Sequence, residues 1–403
     1  MFGVLLSLLA YTTKLGVTID FPCVSPVPLG DEKVEAVNPL PNMTLKQMIV
    51  LTRHGARSPI DSYSQNETED WYCDDDNQHA WAPRYQAAGG SIFRRFHQKL
   101  DPTTLRFKPS CPPGGLITDG MRQHYQLGSF FRKIYVNQLK FLPEYYDPTQ
   151  IYVRSSEVDR CVRSAISFMN GLYPAATPDE MVTIETGHAT LEMLHPQTSQ
   201  CKDLKQAWDN WVKTYDYLQH KNEATPYLKP LADAVNIDFY KSEATWMFIG
   251  DWMATIACTS HQLPDLVNDT VLTYGMKAVE FYSHGFFKYA RGVAGSAIMR
   301  EILRIVDNRL AGKNNYKFAL LSAHDVSIVA ALTLLGYDNP HWSPFRSYMV
   351  TQIWEDQNEQ LYIRFVYNNQ PVKINFMENE SLVKLTRFRS RVAGYLDHCR
   401  ELP

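Results

Sequence analysis

Between Leu45 and Leu51 the chain reads Leu-Lys-Gln-Met-Ile-Val-Leu, and the unbroken apolar run Met48 to Leu51 predicts a strand buried on both faces. Arg53-His-Gly-Ala-Arg57 follows directly. Two further short runs share this form. Gln150-Ile-Tyr-Val-Arg154 is β-branched and aromatic and ends in an arginine. Tyr316 to Ser322 is apolar and leads into His324-Asp325. Each is followed by a helical pattern. Val158, Val162, Ala165, Met169 and Leu172 recur at helical spacing after the second, and Ser156 with Asp159 resembles a capping box. Val326 to Leu335 follows the third and stops at Gly336.

Elsewhere Met121, Tyr125, Gly128 and Phe131 mark one packed helix face, with Gly128 allowing a close neighbour. Leu204 to Leu218 and Trp246 to Ala257 predict helices in a span, 176–275, where clear strands are scarce. Its aromatic stripes read as core rather than as a cofactor box. A long helical stretch from 276 to 311 closes at Gly312. Tyr348–Trp354, Leu361–Tyr367 and Pro371–Phe376 read as a strand meander, and Leu382 to Cys399 as a closing helix. The expected class is therefore α/β: a mixed, mostly parallel central sheet flanked by helices, with a smaller all-helical insertion. Residues 43–175 and 276–403 would form the first part and 176–275 the second. An edge strand of the meander could pair across a homodimer.

Composition narrows the function. The 403 residues are 45% apolar and 21% charged, which suits a globular protein with a large core. A net charge of −3 gives no basic excess for nucleic acid or for an anionic membrane surface. Met1 to Ala10 is an apolar run too short to span a bilayer, and residues 1–18 read as a signal peptide rather than as a leader strand. No later stretch reads as a transmembrane span. Asn42, Asn66, Asn268 and Asn379 head glycosylation sequons. Seven scattered cysteines without a C-x-x-C pair argue against zinc and fit disulfides in an oxidising compartment, with at least one free or paired between chains. These features point to a secreted, cell-surface or lysosome-like protein. The Asp74-Asp-Asp76 run lacks a calcium-loop pattern and reads as a solvated loop.

Strands of an α/β sheet present ligands at their carboxyl ends, and here those ends carry Arg53, His54, Arg57, Arg154, His324 and Asp325. Guanidinium groups match phosphate oxygens bidentately and cannot deprotonate. Arg53, Arg57, Arg154 and a protonated His324 could stabilise a transferring phosphoryl group without metal or other cofactor. A neutral imidazole at His54 is a competent nucleophile. Asp325 is the carboxyl group placed to protonate a leaving alkoxide in acid. Singly, each signal also has a structural reading, Arg154 for instance as a salt-bridge partner.

The order of these segments resembles the histidine acid phosphatases, branch 2 of the histidine phosphatase superfamily, and is nearer the animal-type acid phosphatases than the phytases. Arg53-His-Gly-Ala-Arg-Ser-Pro59 is similar to the family's R-H-G-x-R-x-P motif, and His324-Asp325 to its H-D motif. Tyr152 to Arg160 and Leu116 to Gly128 resemble two further family segments, and the likeness runs from about Leu45 to about Leu396. The resemblance implies a phosphomonoester hydrolase acting at acid pH. It makes His54 the phosphorylated nucleophile and Asp325 the proton donor, with Arg53, Arg57, Arg154 and His324 binding phosphate. The competing readings are a phosphohistidine phosphomutase and an exported phosphate- or phospholipid-binding protein on the same fold.

Overall fold

The computed structural model describes residues 11–12, 18–19, 22–27, 40–60, 70–73, 111–175, 181–337, 342–400 and 402. The leader, Asn66 and the acidic run at Asp74 lie outside the described residues, apart from a two-residue pairing of Tyr11–Thr12 with Thr18–Ile19.

The central strand is β1 (Met43–Arg53). On one side it pairs in parallel with β4 (Phe318–Ala323), which pairs in parallel with β2 (Ile151–Ser155), and β2 with the edge strand β3 (Glu185–Thr186). On the other side β1 runs antiparallel to β5 (Tyr348–Asp356), then come β6 (Leu361–Tyr367), the short β7 (Gln370–Pro371) and β8 (Leu382–Lys384). The sheet is mixed, as expected. Its parallel share is confined to four strands: three pairings are parallel and four, supplied by the meander, are antiparallel.

Alternation along each strand builds two cores. Met48, Val50, Ile151, Val153, Phe318 and Leu320 face one side, where they meet Leu127, Phe131, Phe168 and Leu172 of α1 (Thr118–Phe131) and α2 (Asp159–Leu172). Ile49, Leu51, Tyr152, Ala319 and Leu321 face the other, against α7 (Arg291–Leu310) and α8 (Asp325–Leu334). Each fully buried Leu, Ile or Met there contributes roughly 2 kcal/mol. The second core continues into α3 (Lys202–Trp211), α4 (Tyr215–Ala234), α5 (Thr245–Cys258) and α6 (Asp269–Phe281). These helices fill most of the span expected to be a helical insertion, which also holds β3.

Gly128 meets the expectation of close approach. A Cβ there would collide with the Phe168 carbonyl oxygen of α2, and one at Gly171 with the Tyr125 carbonyl oxygen of α1. Other local expectations differ. α2 starts at Asp159 with Val158 as an N-cap that makes no side-chain bond, so Ser156 does not form the expected capping box. The helical face read from Leu204 to Leu218 breaks into α3 and α4 at Thr214, whose hydroxyl caps α4. The stretch read as one helix from 276 to 311 is interrupted by a wide π-type turn, Tyr282–Phe286, before α7. The closing helix α9 (Leu385–Val392) is short because β8 takes up its expected beginning.

Candidate active site

Strand register brings the distant segments together. Arg53 pairs with Ala323, and Ser322 pairs with both Thr52 and Ser155, so His54, His324 and Ser156 leave neighbouring strand ends side by side. The His54 and His324 rings lie 5.8 Å apart, nearly perpendicular. Gly55 is required by the turn: a Cβ there would overlap the Gly120 backbone at the start of α1. The Gly55 amide donates to Ser164 Oγ at 3.1 Å and the Ala56 amide to Gln123 Oε1 at 2.9 Å, which fixes the loop.

His54 is buried, and its Nδ1 lies 2.8 Å from the Gly55 carbonyl oxygen. A carbonyl only accepts, so Nδ1 carries the proton and Nε2 keeps its lone pair. Burial, followed by the fields of Arg160, Arg53 and Arg57, holds His54 well below the ordinary histidine range. The ring is thus held neutral, and its Nε2 lone pair is chemically competent to act as a nucleophile. His324 is held neutral in the same way, by burial and by His195, Arg160 and Arg53, which runs against the cationic His324 expected from sequence. His324 Nε2 lies 3.0 Å from Ser156 Oγ, and His195 stacks on the ring at 3.9 Å.

Arg53 is wholly buried. Its guanidinium is sandwiched between Trp342 and Phe345, at 3.9 and 4.2 Å, and donates to the Ser343 carbonyl. Burial brings it down to about 10 against the raising pull of Asp325, so it stays cationic across the acid and neutral range. Arg57 makes a two-toothed contact with Asp251 of α5, at 2.8 and 2.9 Å. Asp325 opens α8. It accepts from Trp342 Nε1 at 3.0 Å and from the Val326 amide at 2.8 Å, and lies 3.2 Å from Arg53 Nη2. Burial raises its carboxyl, but Arg53, Arg57 and that amide outweigh it, leaving Asp325 below the usual carboxylate range and ionised.

Five of the six expected residues therefore meet at one place, and Arg154 does not. It shares its sheet face with Tyr152, and α7 covers that face. There its Nη1 and Nη2 meet Glu301 and Glu192 at 3.3 and 3.2 Å. Sequence reasoning missed Arg160, in the first turn of α2. It lines the same cavity as His54, Arg57, His324 and Asp325, and both burial and the charge of Arg57 lower it. His195, Asp251 and Trp342 were missed as well. Helical spacing held the one signal for Arg160: it follows β2 by five residues, where the chain has already turned to cross the strand ends.

The cavity encloses about 420 Å³. Arg57 and Arg160 line it, and each keeps a buried Nε without a hydrogen-bond partner. Buried orphan donors are costly, and an anion would satisfy them. A neutral imidazole beside two such donors and a carboxyl group can carry out phosphoryl transfer.

Among known proteins, the family model described as "Histidine phosphatase superfamily (branch 2)" matches residues 44–368. Counting factor 60 of Dictyostelium discoideum is 24% identical over 98% of this chain and 97% of its own. The Lysophosphatidic acid phosphatase type 6 of Homo sapiens is 23% identical over 81% of this chain and 78% of its own. The solved Hafnia alvei phytase in complex with tartrate superposes with a TM-score of 0.58 at 13% identity, over 91% of this chain and all of that one, a likeness of fold. With the matched segment covering the central strands of the sheet, both histidines and their flanking arginines, the chain belongs to branch 2 of the histidine phosphatase superfamily and is a histidine acid phosphatase.

Proposed function

We propose that the protein hydrolyses phosphomonoesters through a phosphohistidine on His54. The observation that carries this is the His54 tautomer: Nδ1–H is tied to Gly55, and Nε2 is unprotonated among arginines. Nε2 attacks phosphorus in line with the ester oxygen. The P–O bond breaks as the N–P bond forms. Arg57 and Arg160 take the equatorial oxygens through their unpaired N–H groups, with Arg53 behind them. His324 joins this cradle by donating a hydrogen bond. Arg154 acts one layer back, holding Glu192 and Glu301.

Asp325 gives its proton to the departing oxygen. The dianionic phosphate offsets the arginine charge that keeps Asp325 ionised, so its proton affinity rises once substrate is bound. In the second half Asp325 takes a proton from water, which attacks phosphorus and releases His54 and inorganic phosphate. The neutral nucleophile and the acid that must be protonated together favour acid pH.

The proposal includes export. Cys23–Cys258, Cys73–Cys111 and Cys201–Cys399 are bonded, Cys161 is free and buried, and Asn42, Asn268 and Asn379 are exposed.

Stopping the reaction in alkali with labelled aryl phosphate tests the mechanism. The label should be on the wild-type chain and absent from His54→Ala, which should release no phosphate. Label or turnover persisting in His54→Ala would remove His54 from the role.

A further inference from the structure

The cavity has two chemically distinct walls and, besides them, a short polar segment of Gln197, Thr198 and Ser199. One is the sheet edge with His54, Arg57, Arg160, His324 and Asp325. The other is built by helices. Met247 and Phe248 lie one turn before Asp251 and Trp252 on one face of α5. Val279, Tyr282 and Phe286 recur at helical spacing across α6 and the wide turn after it, and Trp208 comes from α3. Their rings form one cluster, with Trp208–Phe286 at 5.1 Å, Phe248–Tyr282 at 6.3 Å and Tyr282–Phe286 at 6.4 Å. Wide turns of the Tyr282–Phe286 kind occur frequently at functional sites.

Asp251 marks the border between the walls. Its carboxylate holds one edge of Arg57, which removes a cation from further anion binding and places a negative charge beside the site. Among the described residues the helical wall carries no cation. A second phosphate on the substrate would therefore meet Asp251, aromatic rings and neutral polar side chains, with no cation among the described residues of that wall to neutralise it.

Resting on the phosphatase reading above, we propose that the substrate is a phosphomonoester with one phosphate on an extended apolar leaving group. The chain lies against Met247, Phe248, Tyr282 and Phe286, and Asp251 excludes polyphosphorylated compounds. This would make Phe248 and Asp251 specificity-determining residues for the hydrolysis.

The test uses the full chain at acid pH and measures kcat/KM for the monomeric alkyl phosphates from ethyl to decyl, inositol hexakisphosphate and nitrophenyl phosphate. Expected is a rise of roughly fourfold per added methylene, as alkyl surface leaves water, up to a plateau. Hexakisphosphate should fall well below decyl phosphate. In Phe248→Asp, at a half-exposed position, the decyl-to-ethyl ratio should drop at least tenfold, and Phe248→Leu should restore most of it. A chain-length profile that is flat or falling, or a preference for hexakisphosphate, would overturn the proposal while nitrophenyl phosphate turnover keeps the phosphatase reading intact. Loss of all monoester hydrolysis in the wild type would instead remove the phosphatase reading itself.

Discussion

In the proposed mechanism Asp325 must gain a proton that Arg53 and Arg57 deny it, and the leaving group shows whether it then gives that proton away. Nitrophenolate departs without help, whereas an alkoxide cannot. Asp325→Ala should therefore cost alkyl phosphates about 10²–10⁴-fold in kcat and nitrophenyl phosphate far less. Equal losses, read from kcat on both substrates, would take the acid role from Asp325. The two arginines separate in the same manner. Arg160 touches the cavity, so Arg160→Ala should lower kcat/KM about 10²-fold or more at little cost in stability. Arg154→Ala leaves the buried carboxylate of Glu192 with backbone amides alone, while Glu301 keeps Arg304, and should cost roughly 3 kcal/mol in urea unfolding. The reverse pattern would restore Arg154 to the phosphate cradle. Arg53, His54, Arg57, His324 and Asp325 were legible from type and order alone, because each ends or closely follows a strand. Arg154 misled because it also ends a strand. The strand's alternation, with Tyr152 two residues earlier, already turned it towards a sheet face.

Helix α1 shows how an element supports the site from behind. His124 is buried and its Nε2 donates to the Arg53 carbonyl oxygen at 2.9 Å. Burial lowers it to about 3. The unfolded chain binds a proton on this residue near the ordinary value of about 6.5, so unfolding takes up a proton between those limits. Its share of stability is complete above about 6.5 and is lost as pH falls towards 3, on the order of 3 kcal/mol by pH 4. His124→Gln retains a donor for the Arg53 carbonyl and cannot charge. The fall in urea midpoint between pH 7 and 4 should be smaller in that variant than in wild type. Parallel pH profiles would assign the acid sensitivity elsewhere. A protein proposed to work in acid thus carries an acid-destabilised residue beneath its first motif. At this scale strand positions and most helices were legible from periodicity. Helix ends were less so: the hydroxyl of Ser156 bonds His324 rather than α2, a tertiary demand that a capping pattern does not contain. The break at Tyr282–Phe286 was hidden because a wide turn keeps helical spacing on the face it presents.

At the scale of the whole molecule, the sequence places its chemistry in segments about 270 positions apart, and parallel register closes that distance. The sheet class and the meeting of the two main motifs follow from strand–helix alternation. Which helices form the opposite wall does not, since aromatic stripes look alike whether they line a core or a cavity. Cysteine pairing was equally closed to spacing arguments. Cys201–Cys399 joins the start of α3 to the C-terminal segment across 198 positions, and Cys201 also caps α3 by accepting from the Leu204 amide at 3.3 Å. A cross-link over so long a loop removes many unfolded conformations, worth about 3–5 kcal/mol in the chain-entropy account. The pair also anchors the helix that presents Trp208 to the cavity. The double variant Cys201→Ala with Cys399→Ala should therefore lose stability by that amount in urea, and the phosphate end of the pocket, which contains neither residue, should keep its affinity for inorganic phosphate. A change in unfolding free energy below about 1 kcal/mol would mean that native packing alone holds α3 in place and that the unfolded chain is already compact around this loop.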